Sequence, residues 1–501
     1  MEFDRSSGVF LHPTSLPGKY GIGSLGEEAY NFIDFLTEAE QKVWQMCPLG
    51  PTGYGDSPYQ CFSAFAGNPY LINLERLVAE GYLSKKDLER EEEFPKARVD
   101  YGRVINFKIS SLRKAFNNFE ESASPEERTD FEEFCSENKD WLDDYALFRA
   151  IKEKFNGQSW TKWDDDIRFR EEDTLKKYRQ ESKDEIEFRK FLQYIFFKQW
   201  DEVKDYANQQ GIKILGDIPI FVAMDSADAW ANPEMFFFDD DLKPTKVAGV
   251  PPDYFNENGQ LWGNPLYNWQ QLKENNYQWW VKRIKKQLDL VDIIRLDHFR
   301  GFSQYWAVPY GAETAINGEW EDGPGKELFK VIKSQLSELP IVAEDLGVIT
   351  DDVEELRDYF DFPGMKILQF AFDNQEENDY LPPYEDENCI VYTGTHDNNT
   401  TLGWYEKDIK EDDKEEMLEY LDEYLAERHN NIVWDLIELG WQSKALLAIA
   451  PLQDFLVLGS EARFNTPGTS ADNWQWRYTK DMIDEELIER IKGVTERNNR
   501  A

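Results

Sequence analysis

Four acidic side chains stand at the ends of short apolar runs. Asp217 follows Ile212-Lys-Ile-Leu-Gly216, Asp297 follows Ile293-Ile-Arg-Leu296, Glu344 follows Ile341-Val-Ala343, and Asp397 follows Tyr392-Thr-Gly-Thr-His396. Taken singly, an acid behind a strand is as readily a helix cap or a turn former. Four at equivalent places suggest carboxylates gathered at one mouth, which suits glycoside chemistry. One carboxyl must carry a proton for the leaving oxygen, while another stays ionised to attack or stabilise an oxocarbenium-like carbon. Arg295 lies two residues before Asp297, so in a strand both side chains share a face. A guanidinium there would favour ionised Asp297. The alternative is a purely structural ion pair.

Positioning such acids requires a repeated strand-then-helix unit. Eight apolar runs recur: Gly8–Leu11, Val43–Met46, Ile212–Leu215, Val291–Leu296, Pro340–Ala343, Met365–Phe370, Cys389–Tyr392 and Phe455–Leu458. Helical periodicity falls between several of them, at Glu27–Glu38, Glu185–Gln209, Asn276–Leu288, Lys326–Leu336 and Glu415–Leu439. The count argues for an α/β fold, a (β/α)₈ TIM barrel spanning 1–501, with an open doubly wound sheet as the rival. In such a barrel the side chains at the C-terminal strand ends do the chemistry. Residues 66–185, charged and helix-like, read as a helical insertion after the second strand. Residues 220–275 read as a second insertion. Within it, 249–264 has turn chemistry rather than helix or strand, and a long loop of that kind is usually functional.

Composition narrows the partners. The chain has 501 residues, 98 Asp plus Glu against 56 Lys plus Arg, and a net charge of −42. That field repels nucleic acid and anionic membranes and leaves a neutral substrate indifferent. It also fits adaptation to high salt, where screening removes self-repulsion. No apolar stretch approaches a membrane span and no signal peptide is visible, so a reducing cytoplasm is expected. The four cysteines and four histidines match no metal or redox spacing. The acidic clusters 164–166 and 239–241 lack the alternation of a calcium loop. No metal is expected, and no organic cofactor.

The segments Arg295-Leu-Asp-His-Phe-Arg-Gly-Phe302, Ala343-Glu-Asp-Leu-Gly347 and Gly394-Thr-His-Asp-Asn-Asn-Thr400 resemble signature segments of the 4-α-glucanotransferases, the amylomaltase or disproportionating-enzyme family, glycoside hydrolase family 77. The resemblance extends to Ser7–Gly23, Gly53–Gln60, Gly216–Phe221, Gly263–Trp269 and Arg463–Thr469. Each motif is weak alone; their order and spacing together are specific. The resemblance implies Asp297 as nucleophile, Glu344 as general acid/base, and Asp397 as a third carboxylate that binds sugar hydroxyls and distorts the ring. It implies supporting roles for Asp217, Arg295 and His396 around the donor sugar. Tyr54, Asp56, Ser57 and Tyr59 match a substrate-contacting segment, Gln260 and Trp262 a loop over the cleft, and Asn465 a further substrate-binding position. Leu296 stands where Ile is common, a conservative departure.

The activity so implied moves α-1,4-glucan segments between maltooligosaccharides by a retaining double displacement. Water must then be kept out, with the 249–264 loop, Tyr54, Tyr59 and Trp262 as candidates. Most of the 17 Trp, 24 Tyr and 33 Phe must be core; Trp160, Trp163 and Trp200 read as packing. His396 could orient Asp397 or cap a turn, and His12 could be core or a sugar contact. Two rivals remain: a hydrolase of the α-amylase type with the same acids, and a non-catalytic glucan-binding protein.

Overall fold

The computed structural model describes residues 4–252, 257–372, 378–384, 386–469 and 471–501. Residues 253–256 of the expected active-site loop lie outside them. The strands run β1 (Ser6–Phe10), β2 (Val43–Gln45), β3 (Lys213–Pro219), β4 (Lys246–Val250), β5 (Gln260–Pro265), β6 (Ile293–Asp297), β7 (Gln304–Pro309), β8 (Glu319–Asp322), β9 (Ile341–Ala343), β10 (Gly364–Ile367), β11 (Cys389–Tyr392) and β12 (Leu447–Pro451). Eight of them pair in parallel in the order β10-β11-β12-β1-β2-β3-β6-β9. The Ala343 N–H donates to the Pro363 carbonyl at 2.9 Å, which brings the two ends of that order together into a nearly closed barrel. β1, β2, β11 and β12 are buried at every position. Burial on both faces is why barrel strands read as short, mostly apolar runs rather than alternating ones.

Helices cover the barrel. Glu27–Glu38 buries Ala29, Phe32, Ile33, Phe35 and Leu36, a stripe at helical spacing, and Phe32 packs on Trp44 of β2 with ring centres 5.0 Å apart. Between β2 and β3 the chain forms helices at Tyr101–Ser122, Pro125–Glu137 and Lys139–Lys154 before Lys183–Gln209 returns to the barrel wall. Phe116 and Phe119 of the first meet Phe191 of the last at 5.5 and 5.0 Å.

Three expectations change. The run Phe455–Leu458 is not a strand. Leu452–Phe455 is a short helix, and Val457 turns back at φ 54°. The eighth barrel strand is Leu447–Pro451, whose alanines carry little strand preference but fit the tight space between β1 and β11. The single helix expected over Glu415–Leu439 is two, Glu411–Tyr424 and Ile432–Gln442. Asn430 has φ 54°, and the Asn431 side chain accepts from the Val433 and Trp434 N–H groups, starting the second helix. Finally, the region expected to be turns alone supplies two strands. β5-β4-β7-β8 form a separate antiparallel sheet. Glycines at 249, 259 and 263 obscured them, because glycine weakens strand patterning.

Candidate active site

Asp217 lies inside β3, Arg295 and Asp297 in β6, and Glu344 directly after β9. Asp217 pairs in register with Arg295, and Leu296 with Ala343, so the next residues, Asp297 and Glu344, end neighbouring strands side by side. One Arg295 nitrogen, Nη1, donates to Asp217 Oδ2 at 2.6 Å and to Asp297 Oδ1 at 2.9 Å. Its Nε faces Met365 Sδ at 3.4 Å. Burial works against the Arg295 charge, but Asp217 and Asp297 more than offset it, and the guanidinium is held charged. Burial pushes the Asp217 carboxyl up, against the pull of Arg295.

Glu344 is set differently. Its Oε2 accepts from the His298 N–H at 2.5 Å and its Oε1 from the Leu346 N–H at 3.2 Å. Its side chain is reachable from the cleft, yet protein surrounds the carboxyl. That desolvation raises it to about 8; Arg295 pulls the other way, and the Asp297 charge adds to the rise. His298, in the left-handed region at φ 53°, turns its N–H onto the carboxylate. Its ring is half-buried, and desolvation by the surrounding protein lowers its pKa to about 4. The adjoining Asp345 anchors the loop to β10: it accepts from the Met365 N–H at 2.7 Å and pairs with Arg357 at 2.6 Å. Gly364 leaves room for it, since a Cβ there would overlap the Asp345 carboxylate.

The third acid rides on the loop after β11. The half-exposed Asp397 carboxylate accepts from Asn465 Nδ2 at 2.6 Å and lies 3.4 Å from His396 Nε2. Tyr59 ties this group to Asp217: its hydroxyl donates to Asp217 Oδ2 at 2.9 Å, lies 3.5 Å from His396 Nδ1, and its ring stacks on His396 at 4.9 Å. The fold thus brings Tyr59, Asp217, Arg295, Asp297, Glu344, His396, Asp397 and Asn465 to one end of the barrel. Gln260 and Trp262 meet each other at 3.1 Å, and the Trp262 ring stands edge-on to His298 at 4.8 Å. Tyr54, Asp56 and Ser57 lie on a short turn at the rim. Gly55 there has φ 65°, and Tyr54 is 78% exposed. Asp56 opens onto a polar cleft with Arg98 and Tyr101. His12 is buried, with burial and then His396 holding it neutral near 3.

Sequence reading missed several supports. Arg463 donates to the Asp397 carbonyl at 2.7 Å and to the Asn465 carbonyl at 2.7 Å. Buried Asp454 accepts from Thr393 Oγ1 at 2.6 Å, Thr401 Oγ1 at 2.7 Å and the Thr401 N–H at 2.8 Å, so it grips both ends of the loop carrying His396 and Asp397. Arg463 stood in plain view two residues before Asn465. Asp454 was hidden by the misread strand beside it. The acidic clusters 164–166 and 239–241 are exposed. Among the described residues no group of three His, Cys, Asp or Glu side chains is placed to hold a metal, and no helix is long and apolar enough to cross a membrane.

The sequence matches the family described as 4-alpha-glucanotransferase, glycoside hydrolase family 77, over residues 11–482. It is 52% identical to the 4-alpha-glucanotransferase of Synechocystis sp., covering 98% of this chain and 97% of that one. It is 49% identical to the 4-alpha-glucanotransferase of Thermus thermophilus, with all of both chains covered (100% each). Among solved structures, the amylomaltase from Streptococcus agalactiae in complex with acarbose superposes with a TM-score of 0.94 at 42% identity, over 99% of this chain and 100% of that one.

Proposed function

Because the chain belongs to the 4-alpha-glucanotransferases of glycoside hydrolase family 77, we propose that it transfers α-1,4-glucan segments between maltooligosaccharides by a retaining double displacement. One observation carries this: Asp297 and Glu344 end adjacent strands in matching register, the first braced by Arg295, the second kept protonated by burial. Adjacent strands lie about 4.8 Å apart, close to the roughly 5–5.5 Å between the carboxyls of retaining enzymes.

Asp297 attacks C1 of the donor sugar and forms a glycosyl ester as the glycosidic bond breaks. Glu344 gives its proton to the departing oxygen. The resulting Glu344 carboxylate takes a proton from the 4-hydroxyl of an incoming glucan, whose oxygen attacks C1 and frees Asp297. Two inversions preserve the α-linkage. Asp397, steadied by Asn465, holds sugar hydroxyls and favours a distorted ring. Asp217, Arg295, His396 and Tyr59 frame the donor sugar. Gln260 and Trp262 cover the cleft and exclude water, and Tyr54, Asp56 and Ser57 contact the glucan at the rim. Residues 66–185 serve as a helical insertion and 220–275 as a second one on a barrel of 1–501. A reducing cytoplasm suits the chain, whose four cysteines are free thiols.

Incubation with maltotriose alone tests this. A ladder of longer oligomers is expected; products that only shorten would mean hydrolysis of the α-amylase type.

A further inference from the structure

We infer that Trp320 and Val348, bridged by the Arg300 guanidinium, form a platform for the acceptor end of an α-glucan, beyond the catalytic cleft on the side of Glu344. This rests on the transferase reading, because the residue that protonates the leaving oxygen marks the side where acceptors enter. The loop leaving Glu344 passes through Leu346, whose N–H donates back to Glu344 Oε1 at 3.2 Å, and reaches Val348, which is 65% exposed. Arg300, on the turn that follows Asp297, donates Nη1 to the Val348 carbonyl and, at 3.3 Å, to Thr350 Oγ1. The same guanidinium lies 4.1 Å from the centre of the Trp320 ring. One buried cation therefore fixes an exposed indole to the loop of the acid/base. Asp352 acts on the Arg300 charge, but the direct contacts of the guanidinium are with the Val348 carbonyl, Thr350 and the Trp320 ring, so it places these side chains.

Trp320 sits on β8, the outer strand of the antiparallel sheet, and is 37% exposed. Trp306 of β7 meets it edge-on at 5.2 Å and 68°. A large aromatic ring pinned from below and from one side, yet open to solvent, is pre-organised for a ligand with flat apolar faces. Sugar rings have such faces. On the face that Trp320 shares with alternate residues, exposed Asp322 offers carboxylate oxygens to sugar hydroxyls, and Gln304 reaches it at 3.2 Å; Glu319 lies on the opposite face, paired with Lys246. A neutral glucan is not repelled by the net charge of −42. A protein partner fits less well, since a stable interface buries about 800 Å² per side and polar Asp322 and Gln304 border this small apolar spot.

The test compares acceptors rather than total rate. With soluble starch as donor, labelled glucose and labelled maltoheptaose are offered separately to the wild type, Trp320→Ala and Trp320→Phe. The ratio of kcat/KM for maltoheptaose over glucose should fall about tenfold in Trp320→Ala, the size expected from losing one stacked ring face, and less in Trp320→Phe. This ratio does not depend on how much of a variant folds. An unchanged ratio overturns the platform. Calorimetric titration of maltoheptaose into Glu344→Gln, with and without Trp320→Ala, gives a readout free of turnover, with binding about tenfold weaker expected in the double variant. The two readings fail separately: no ladder from maltotriose refutes transfer, whereas equal maltoheptaose affinity with and without Trp320 refutes the platform.

Discussion

At Glu344 two influences oppose each other. Two backbone N–H groups and a nearby guanidinium favour the carboxylate, while desolvation and the Asp297 charge favour the acid, and desolvation wins. The group is therefore an acid at neutral pH and a base only once its proton has gone to a leaving oxygen. Because the proton is present below about 8 and lost above it, kcat/KM for transfer should fall about tenfold per pH unit on the alkaline side. A profile flat to pH 10 would remove Glu344 as the acid. Glu344→Gln should abolish that limb and slow transfer about a hundred- to ten-thousand-fold. Asp297→Ala should cost about ten-thousand-fold with an unchanged circular dichroism spectrum; near-wild-type turnover in either variant would refute the roles. Trp262→Ala should raise the hydrolysed share of products from maltotriose, since that ring stands against His298 beside the nucleophile; an unaltered share would end its part in water exclusion. The four acids were legible because each follows an apolar run, and Arg295 because it stands two residues before Asp297. The His298 and Leu346 N–H donors were not. Backbone donors leave no mark on residue identity, and the first depends on a left-handed turn visible only in three dimensions.

At the level of elements, the site depends on how firmly the strand-end loops are held. Asp454, on the short helix after β12, binds Thr393 at one end of the Asp397 loop and Thr401 at the other. Asp454→Ala strands two hydroxyls and one N–H in a buried place, at a cost of about 3 kcal/mol. Urea unfolding should report that loss, and maltotriose turnover should fall with it. A variant as stable as the wild type would mean the loop is held elsewhere. Seven of the eight barrel strands overlap runs visible in the sequence, because parallel strands buried on both faces are mostly apolar. β12 escaped because its wall position demands small side chains, and Leu-Ala-Ile-Ala reads as helix or nothing. The antiparallel sheet escaped for another reason: its central pairing, β4 with β7, spans more than fifty residues, and glycines break the alternation of β4 and β5.

On the scale of the whole molecule, charge is the unbalanced quantity. The chain carries 98 acidic against 56 basic residues, and its acidic runs at 91–93, 164–166 and 239–241 all face solvent. Ion pairs such as Lys176–Glu172 and Lys444–Glu387 are exposed, and each such pair is worth at most about 1 kcal/mol, which salt would erode. They cannot offset a net charge of −42, so self-repulsion should dominate the response to ionic strength. The Debye length falls from about 30 Å at 0.01 M to about 3 Å at 1 M. Most of that change comes at low salt. The melting temperature should therefore rise steeply with potassium chloride up to a few tenths molar and then level off. A rise confined to molar concentrations would instead indicate a general solute effect on apolar burial. A melting temperature that is flat or falling over the first few tenths molar would mean the acidic surface is locally neutralised, and would remove high-salt adaptation as its explanation.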